Sequence, residues 1–400
     1  MLRERLAVQL GLGVLAALLP MPLRGDGGAF PHYRWSDIGV FTGDQQALVV
    51  YTGGAETMVV STRVTSDGAT PYAWVLPVPA LIRQSDVSVC TAGVLDDLQQ
   101  LTQPRALVAR HGCLGCASDG PAGGPAGDFS SVHDWGTISV DAYTIRVLSA
   151  SESAQLAQWL RDEGYQVPVE AEPVLDAYVR QSWYFLAVRV GPPATGGHGV
   201  ELPALVLRFP TAQPVYPMRI SGVSSLTNRP AEVLLFTISE HRLAGQNWPT
   251  AEFAPENAPS GALLGMWEDW YDTQLTTHLA RLRAQYDRAG FVVEWSGPLP
   301  SAVSPELAGL TRGVAAPYLT RLRTRITAAD MDRDVLLARA PTDQAFQVRV
   351  ASAELRREGY ARGAATAAIL AIGVCSTVTA PAGQRRRRAL YTLLALLPFL

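Results

Sequence analysis

The stretch Pro71 to Pro79, PYAWVLPVP, constrains the fold more than any other part of the sequence. Tyr72, Trp74 and Leu76 alternate with Ala73 and Val75, the period-2 pattern of a strand rich in aromatic and branched side chains. Pro77 and Pro79 remove two backbone donors, so the strand is expected to finish at a sheet edge or to end there. Upstream, Ala47 to Tyr51 and Thr57 to Val64 are strand-like runs joined by the turn signal Gly53-Gly54. Together the three predict an antiparallel meander whose third strand leaves the sheet through a proline-stiffened exit. Trp74 is expected to face the main core with Tyr72 and Leu76 beside it, because side chains two apart point the same way.

The pattern continues downstream as strands broken by a pair of helices. Val94 to Leu101 reads as a short helix with Leu95, Leu98 and Leu101 on one side, and Thr137 to Val147 as a strand. Ser149 and Glu152 have capping-box spacing. Leu156, Trp159 and Leu160 give the helix that follows its apolar stripe, and Gly164 stands where a C-terminal cap belongs. Pro173 suits the first turn of a second helix, in which Val174, Ala177 and Tyr178 share a face. Trp183 to Val190, Leu202 to Phe209, Val215 to Ile220 and Val233 to Ile238 are strand-like. Met266 to Ala289 reads as the longest helix, with Trp267, Trp270, Tyr271, Leu275 and Leu279 on one face, and Tyr318 to Ile326 and Val335 to Ala340 close the folded part as strands. Strand runs interrupted by a helix pair indicate an α+β fold of antiparallel meanders with one long helix, not a repeating βαβ pattern.

Five motifs then stand in order: LVVYTGGAETMVVSTRVTSDGATPYAWVLPVPA, VLSASESAQLAQWLRDEGYQVP, PVLDAYVRQSWYFLAVRV, FPTAQPVYPMRIS and YLTRLRTRITAADM. Through them the chain resembles the uncharacterised bacterial family called domain of unknown function 2330, over roughly Asp26 to Ala340. The resemblance implies an exported, often membrane-associated bacterial protein. It supplies no activity and no catalytic residues.

The ends of the sequence carry the localisation signals. Arg3 and Arg5 precede the apolar run Leu6 to Leu19, as in a secretory signal or an uncleaved anchor. Ala364 to Val378 is weakly apolar, Arg385 to Arg388 are four consecutive arginines, and Ala389 to Leu400 is apolar again. A span followed by internal arginines agrees with the positive-inside rule, so the expected membrane contact is this C-terminal tail. The organisation expected is a signal or anchor over 1–24, a main α+β domain over 25–246 with a flexible loop at 111–134, and a connector over 247–262. A helix and strand part of the same family region over 263–340, a linker over 341–363 and the apolar tail over 364–400 complete it.

Composition excludes more than it proposes. A net charge of −3 argues against a nucleic-acid partner, which needs a clustered basic face. All 33 basic residues are arginine. Without lysine there is no Walker A phosphate loop, no lysine Schiff base and no Ser-x-x-Lys pair. No cofactor is expected, and no Gly-x-Ser-x-Gly elbow or His-Glu-x-x-His is present; Glu240-His241 is the nearest fragment and lacks the second ligand. Cys113 and Cys116 form the sharpest local motif. With His111 and His133 they have the makings of a zinc site, but in an exported loop a disulfide is the favoured reading, within the pair or from one of them to Cys90. His198 in GGHG is read as solvated. The neighbours Asp96-Asp97 and Glu268-Asp269 diverge by about 100° around a helix axis and are read as surface charges, not glycosidase pairs. Trp74, Trp159 and Trp183 fall on apolar faces and are read as core. A binding or structural module at the cell envelope is the expectation; an envelope hydrolase or metal-dependent enzyme with scattered residues is the alternative.

Overall fold

The computed structural model describes residues 24–25, 28–31, 45–63, 72–91, 93–106, 133–141, 143–190, 203–225, 230–256 and 266–350. The segment read as an N-terminal signal or anchor, the loop holding Cys113 and Cys116, and the arginine-flanked tail lie outside the described residues. Among the described residues no helix is long and apolar enough to cross a membrane.

In chain order the main elements are β1 (Gly28–Pro31), β2 (Gln45–Thr52), β3 (Ala55–Val60), β4 (Tyr72–Val78), β5 (Val87–Cys90) and α1 (Gly93–Thr102). Then come β6 (His133–Val140), β7 (Tyr143–Ser149), α2 (Ser153–Asp162), α3 (Ala171–Val179), β8 (Tyr184–Val190) and β9 (Ala204–Pro210). Last are β10 (Ala231–Ser239), α4 (Met266–Tyr286), β11 (Phe291–Pro298), α5 (Pro305–Leu310) and β12 (Tyr318–Ile326).

These strands make two principal sheets. The smaller runs β1-β4-β8-β7-β6. The larger runs from the short strand Thr250–Glu252 through β11-β12-β10-β2-β3-β9 to β5, with Phe346–Gln347 added on β11. Most ladders are antiparallel, but β2 lies parallel to β10 and Thr250–Glu252 parallel to β11.

Alternation along the strands divides the apolar residues among three cores. Trp74, Leu76, Ile145, Leu186 and Val188 of the smaller sheet join Val49, Met58, Leu207, Leu235 and Leu322 of the larger in one buried cluster, so the sheets pack face to face. The opposite face of the smaller sheet, with Val75, Phe185 and Ala187, is covered by Leu156, Trp159 and Leu160 of α2 and Leu175 and Tyr178 of α3. The opposite face of the larger sheet, with Leu48, Val50, Leu234 and Phe236, is covered by α1 through Leu95 and Leu98 and by α5 through Leu307. The result is a mixed α+β fold of helix, sheet, sheet and helix layers.

Several sequence expectations change in detail. The hairpin of β2 and β3 turns at Gly53-Gly54, both at positive φ (58° and 77°), as a tight primed turn requires. Tyr72–Val78 does not continue that hairpin. It pairs instead with β8 and β1 in the other sheet, so the predicted three-strand meander is divided: its first two strands lie in the larger sheet and its third in the smaller. Pro77 nevertheless behaves as expected of proline: β1 reaches only from Tyr72 to Val75, and among the described residues Pro77 is flanked by β8 alone. The predicted strand at Thr137 to Val147 is a hairpin, reversed at Asp141 with φ 47°. The capping box at Ser149 and Glu152 does not form; Glu152 itself occupies the N-cap without a side-chain hydrogen bond. Gly164 does take the positive φ (88°) expected after α2. Of Val215 to Ile220 only Val215–Tyr216 is a strand, because the chain turns after Pro217 into a short 3-10 helix at Arg219–Val223.

Two compact units can be separated. One comprises 1–103, 116–253 and 279–347, and holds both sheets; the other comprises 104–115, 254–278 and 348–400. In the second, Arg105–Ala106 pairs parallel with Arg349–Val350, and Trp270 meets Tyr271 edge to face at 6.5 Å. Of the face predicted for α4, Tyr271, Leu275 and Leu279 are buried.

Candidate functional site

A concave site opens where the turn after β2, the turn after β10 and a three-stranded ribbon meet. The ribbon is ordered Val215–Tyr216, Val335–Arg339, Leu243–Gly245. The pocket has a volume of about 200 Å³, with Tyr51, Pro214, Leu243 and Ala338 among its apolar walls and Ser239, Glu240, His241 and Arg339 among its polar ones. The sequence places His241 there by a tight reversal after β10. Ser239 Oγ donates to the His241 carbonyl at 2.5 Å, and the His241 amide donates back to Ser239 Oγ at 3.1 Å.

The histidine ring is held from far along the chain. His241 Nδ1 lies 2.9 Å from Asp343 Oδ2, while the Arg242 amide donates to Asp343 Oδ1 at 2.9 Å. Those two contacts, the backbone amide first, hold the Asp343 carboxyl below the usual carboxylate range. Arg339 reaches the same carboxylate at 3.4 Å, and Arg242 pairs with Glu252 at 2.9 Å. A histidine with one nitrogen fixed by a carboxylate presents its other nitrogen for proton transfer or binding. Ser239 is not its nucleophile, since the hydroxyl is committed to backbone groups of residue 241.

Behind this wall sits a buried acid. Inward-facing residues on β3 are Glu56, Met58 and Val60, and Glu56 is fully buried. Glu56 pairs in register with Tyr51 on one side and Phe209 on the other. Ser239 follows Ile238, the partner of Val50, so it stands beside Tyr51 in the same cross-sheet row. Glu56 Oε2 accepts from the Val215 amide at 2.8 Å, and among the described residues nothing bonds to Oε1. Burial pushes the Glu56 carboxyl well above its ordinary value of 4.5, against the opposing pull of the Val215 amide.

That shift has a sign. The folded state keeps a proton that the unfolded chain releases near pH 4.5, so stability is full below that pH and declines as pH rises toward the folded-state pKa. Glu56→Gln removes the titration. Its melting temperature minus that of the parent is expected to grow with pH above 4.5; parallel curves in thermal unfolding over about pH 4–8 would refute the assignment.

A second charged cluster is structural. On the helix-covered face of the larger sheet, Glu294 of β11, fully buried, lies 2.6 Å from Arg321 Nε and 3.2 Å from Arg323 Nη1 of β12. The Arg321 contact is an ion pair outside hydrogen-bonding geometry. Arg321 also donates to the Gln99 carbonyl at 3.4 Å and to Thr102 Oγ1 at 3.2 Å, placing a cation at the C-terminus of α1. Glu232 binds Arg323 and Arg325; burial raises its pKa, but the two arginines outweigh it and the net shift is downward.

Of the sequence candidates, Cys113, Cys116 and His198 lie outside the described residues. Cys90, on β5, has no disulfide partner among the described residues, and its thiol is pushed up to about 12 by burial and then by Glu306. Asp97 is exposed on α1, as is Asp269 on α4. Trp74 and Trp159 are buried, and Trp183 packs partly buried on the α2–α3 core. Among the described residues no group of three or more His, Cys, Asp or Glu is placed to hold a metal ion. Neither Asp343 nor Glu56 is among the sequence candidates. Asp343 is 102 positions from its histidine, a separation that leaves no local pattern; Glu56 did carry one, an acid at an inward register position.

Residues 36–338 match the model of a family described as an uncharacterised protein conserved in bacteria, domain of unknown function 2330. The chain belongs to this family. The match spans the whole of β2 to β12, so the family's shared region includes Glu56, the hairpin of β2 and β3 and the His241 turn, and stops before Asp343. No curated protein and no solved structure matches the chain.

Proposed function

We propose that this member of the family is an exported protein held at the cell envelope, and that its two-sheet part is a binding module for a small ligand. The localisation part rests on Arg3, Arg5 and the apolar run to Leu19, and on the arginine block at Arg385 to Arg388. The binding part rests on one observation: a pocket of about 200 Å³ mixes apolar walls with convergent polar side chains on strands fixed by sheet pairing. A reporter joined at Gly261 should be active only if the reporter works outside the cytoplasm; activity of a cytoplasmic reporter there contradicts export.

A hydrolytic reading has one observation in its favour, the His241–Asp343 pair. Binding is favoured because Ser239, the hydroxyl that shares the turn with the ring, is committed to the backbone of residue 241. Ala338→Trp, which fills the pocket from its wall, separates the accounts when combined with His241→Ala. Stabilisation of the full chain by small molecules, lost in Ala338→Trp but largely kept in His241→Ala, supports a binding module. Ester hydrolysis abolished by His241→Ala would replace it with the enzyme.

A further inference from the structure

The charges around the pocket do not cancel, and the remainder is acidic. Arg339 and His241 both contact the one carboxylate of Asp343, and Arg242 is taken by Glu252. Glu240 stands exposed at the mouth without a basic partner among the described residues, and Glu56 lies behind Tyr51 in the same row, buried, with Oε1 unbonded. Among the described residues, the groups that meet Glu56 in its row and at its carboxyl carry no charge: Tyr51 from β2, Phe209 from β9 and the Val215 amide of the ribbon. A buried carboxyl with no cation is costly to ionise, and the cost vanishes when a cation arrives beside it.

We infer that the pocket takes a ligand bearing a cationic nitrogen, an ammonium or guanidinium group, and that Glu56 is its counter-ion. This rests on the binding reading above and specifies the ligand class of the same pocket. Tyr51 is the gate. It pairs in register with Glu56 and also lines the pocket, half-buried, with its hydroxyl donating to the Thr211 and Ala212 carbonyls at 3.3 and 3.0 Å. Rotation of that one side chain joins the carboxyl to the cavity. Glu240 at the mouth draws cations toward the entrance. The step balances simply: the protonated Glu56 releases its proton to solvent as the ammonium, which keeps its own, settles against the carboxylate.

Calorimetric titration of the full chain with n-butylamine, n-butyrate and n-butanol tests this. Butylamine is expected to bind in preference to the other two, with release of up to one proton to the buffer, read from buffers of different ionisation enthalpy. Its affinity should rise with pH through the range in which Glu56 titrates. Glu56→Gln should abolish the proton release and weaken butylamine by at least about tenfold. The proton count on the unaltered chain needs no variant to fold. Butylamine binding without proton release, or unchanged in Glu56→Gln, overturns the role of Glu56. Binding of butyrate or butanol in place of butylamine overturns the ligand class and leaves the pocket standing as a site. No binding of any of the three overturns the inference, and the Ala338→Trp comparison then decides separately whether the pocket binds anything.

Discussion

Trp74→Ala is expected to cost the folded protein about 3–5 kcal/mol, the loss of transfer energy plus the cavity left behind. The indole is 1% exposed and lies in the cluster shared by the two sheets, flanked in register by Val188 of β8 and Ala29 of β1. A typical domain has only about 5–15 kcal/mol of stability, so the variant should unfold at a much lower temperature or fail to accumulate. Val169→Ala is the control: Val169 is 77% exposed and its truncation should change stability by no more than about 0.5 kcal/mol. Thermal unfolding of both variants checks this. An unaltered melting temperature for Trp74→Ala would mean that the two sheets do not close over it.

Glu294→Ala should be comparably damaging for a different reason. The carboxylate is fully buried between Arg321 and Arg323, and its removal leaves Arg321, itself nearly buried, without its carboxylate and held by the Gln99 carbonyl, the Thr102 hydroxyl and the face of Phe236. Breaking a buried pair from one side costs about 3–5 kcal/mol because an uncompensated charge is left inside. The exposed pair of Arg180 with Asp176, one helical turn apart, is the contrast; Arg180→Ala should cost no more than about 1 kcal/mol. If Glu294→Ala and Arg180→Ala melt alike, the cluster is not buried as described. Adding Arg321→Met to Glu294→Ala should recover part of the loss, since an apolar replacement removes the stranded charge.

The two sites differ in how far local sequence announces them. Alternation around Trp74, the paired glycines at 53 and 54 and the stripe of Leu156, Trp159 and Leu160 are local signals, and each produces the expected element. What local pattern does not carry is partnership. Tyr72–Val78 reads as a strand from its own residues, but nothing in them says that it pairs with Tyr184–Val190 in place of the preceding hairpin. Phe291–Pro298 escapes notice as a strand because Glu294 and Gly297 interrupt it, and a buried glutamate is tolerable there only through arginines supplied by β12. α5 is capped by Ser304, whose hydroxyl accepts from the Leu307 amide, with Pro305 in the first turn. The pocket is the extreme case. Tyr51, Pro214, Ser239, His241 and Arg339 come from distant stretches, so it exists only once the sheets are paired.

Hydrogen–deuterium exchange of the full chain, with and without saturating n-butylamine, tests the binding account most directly. Slower exchange is predicted in peptides covering 49–58, 211–217, 238–245 and 336–343, the segments that wall the pocket and carry Glu56, with α2 and α3 unchanged. Unaltered exchange in all of those segments, or protection confined to the edge strand β6, would contradict it.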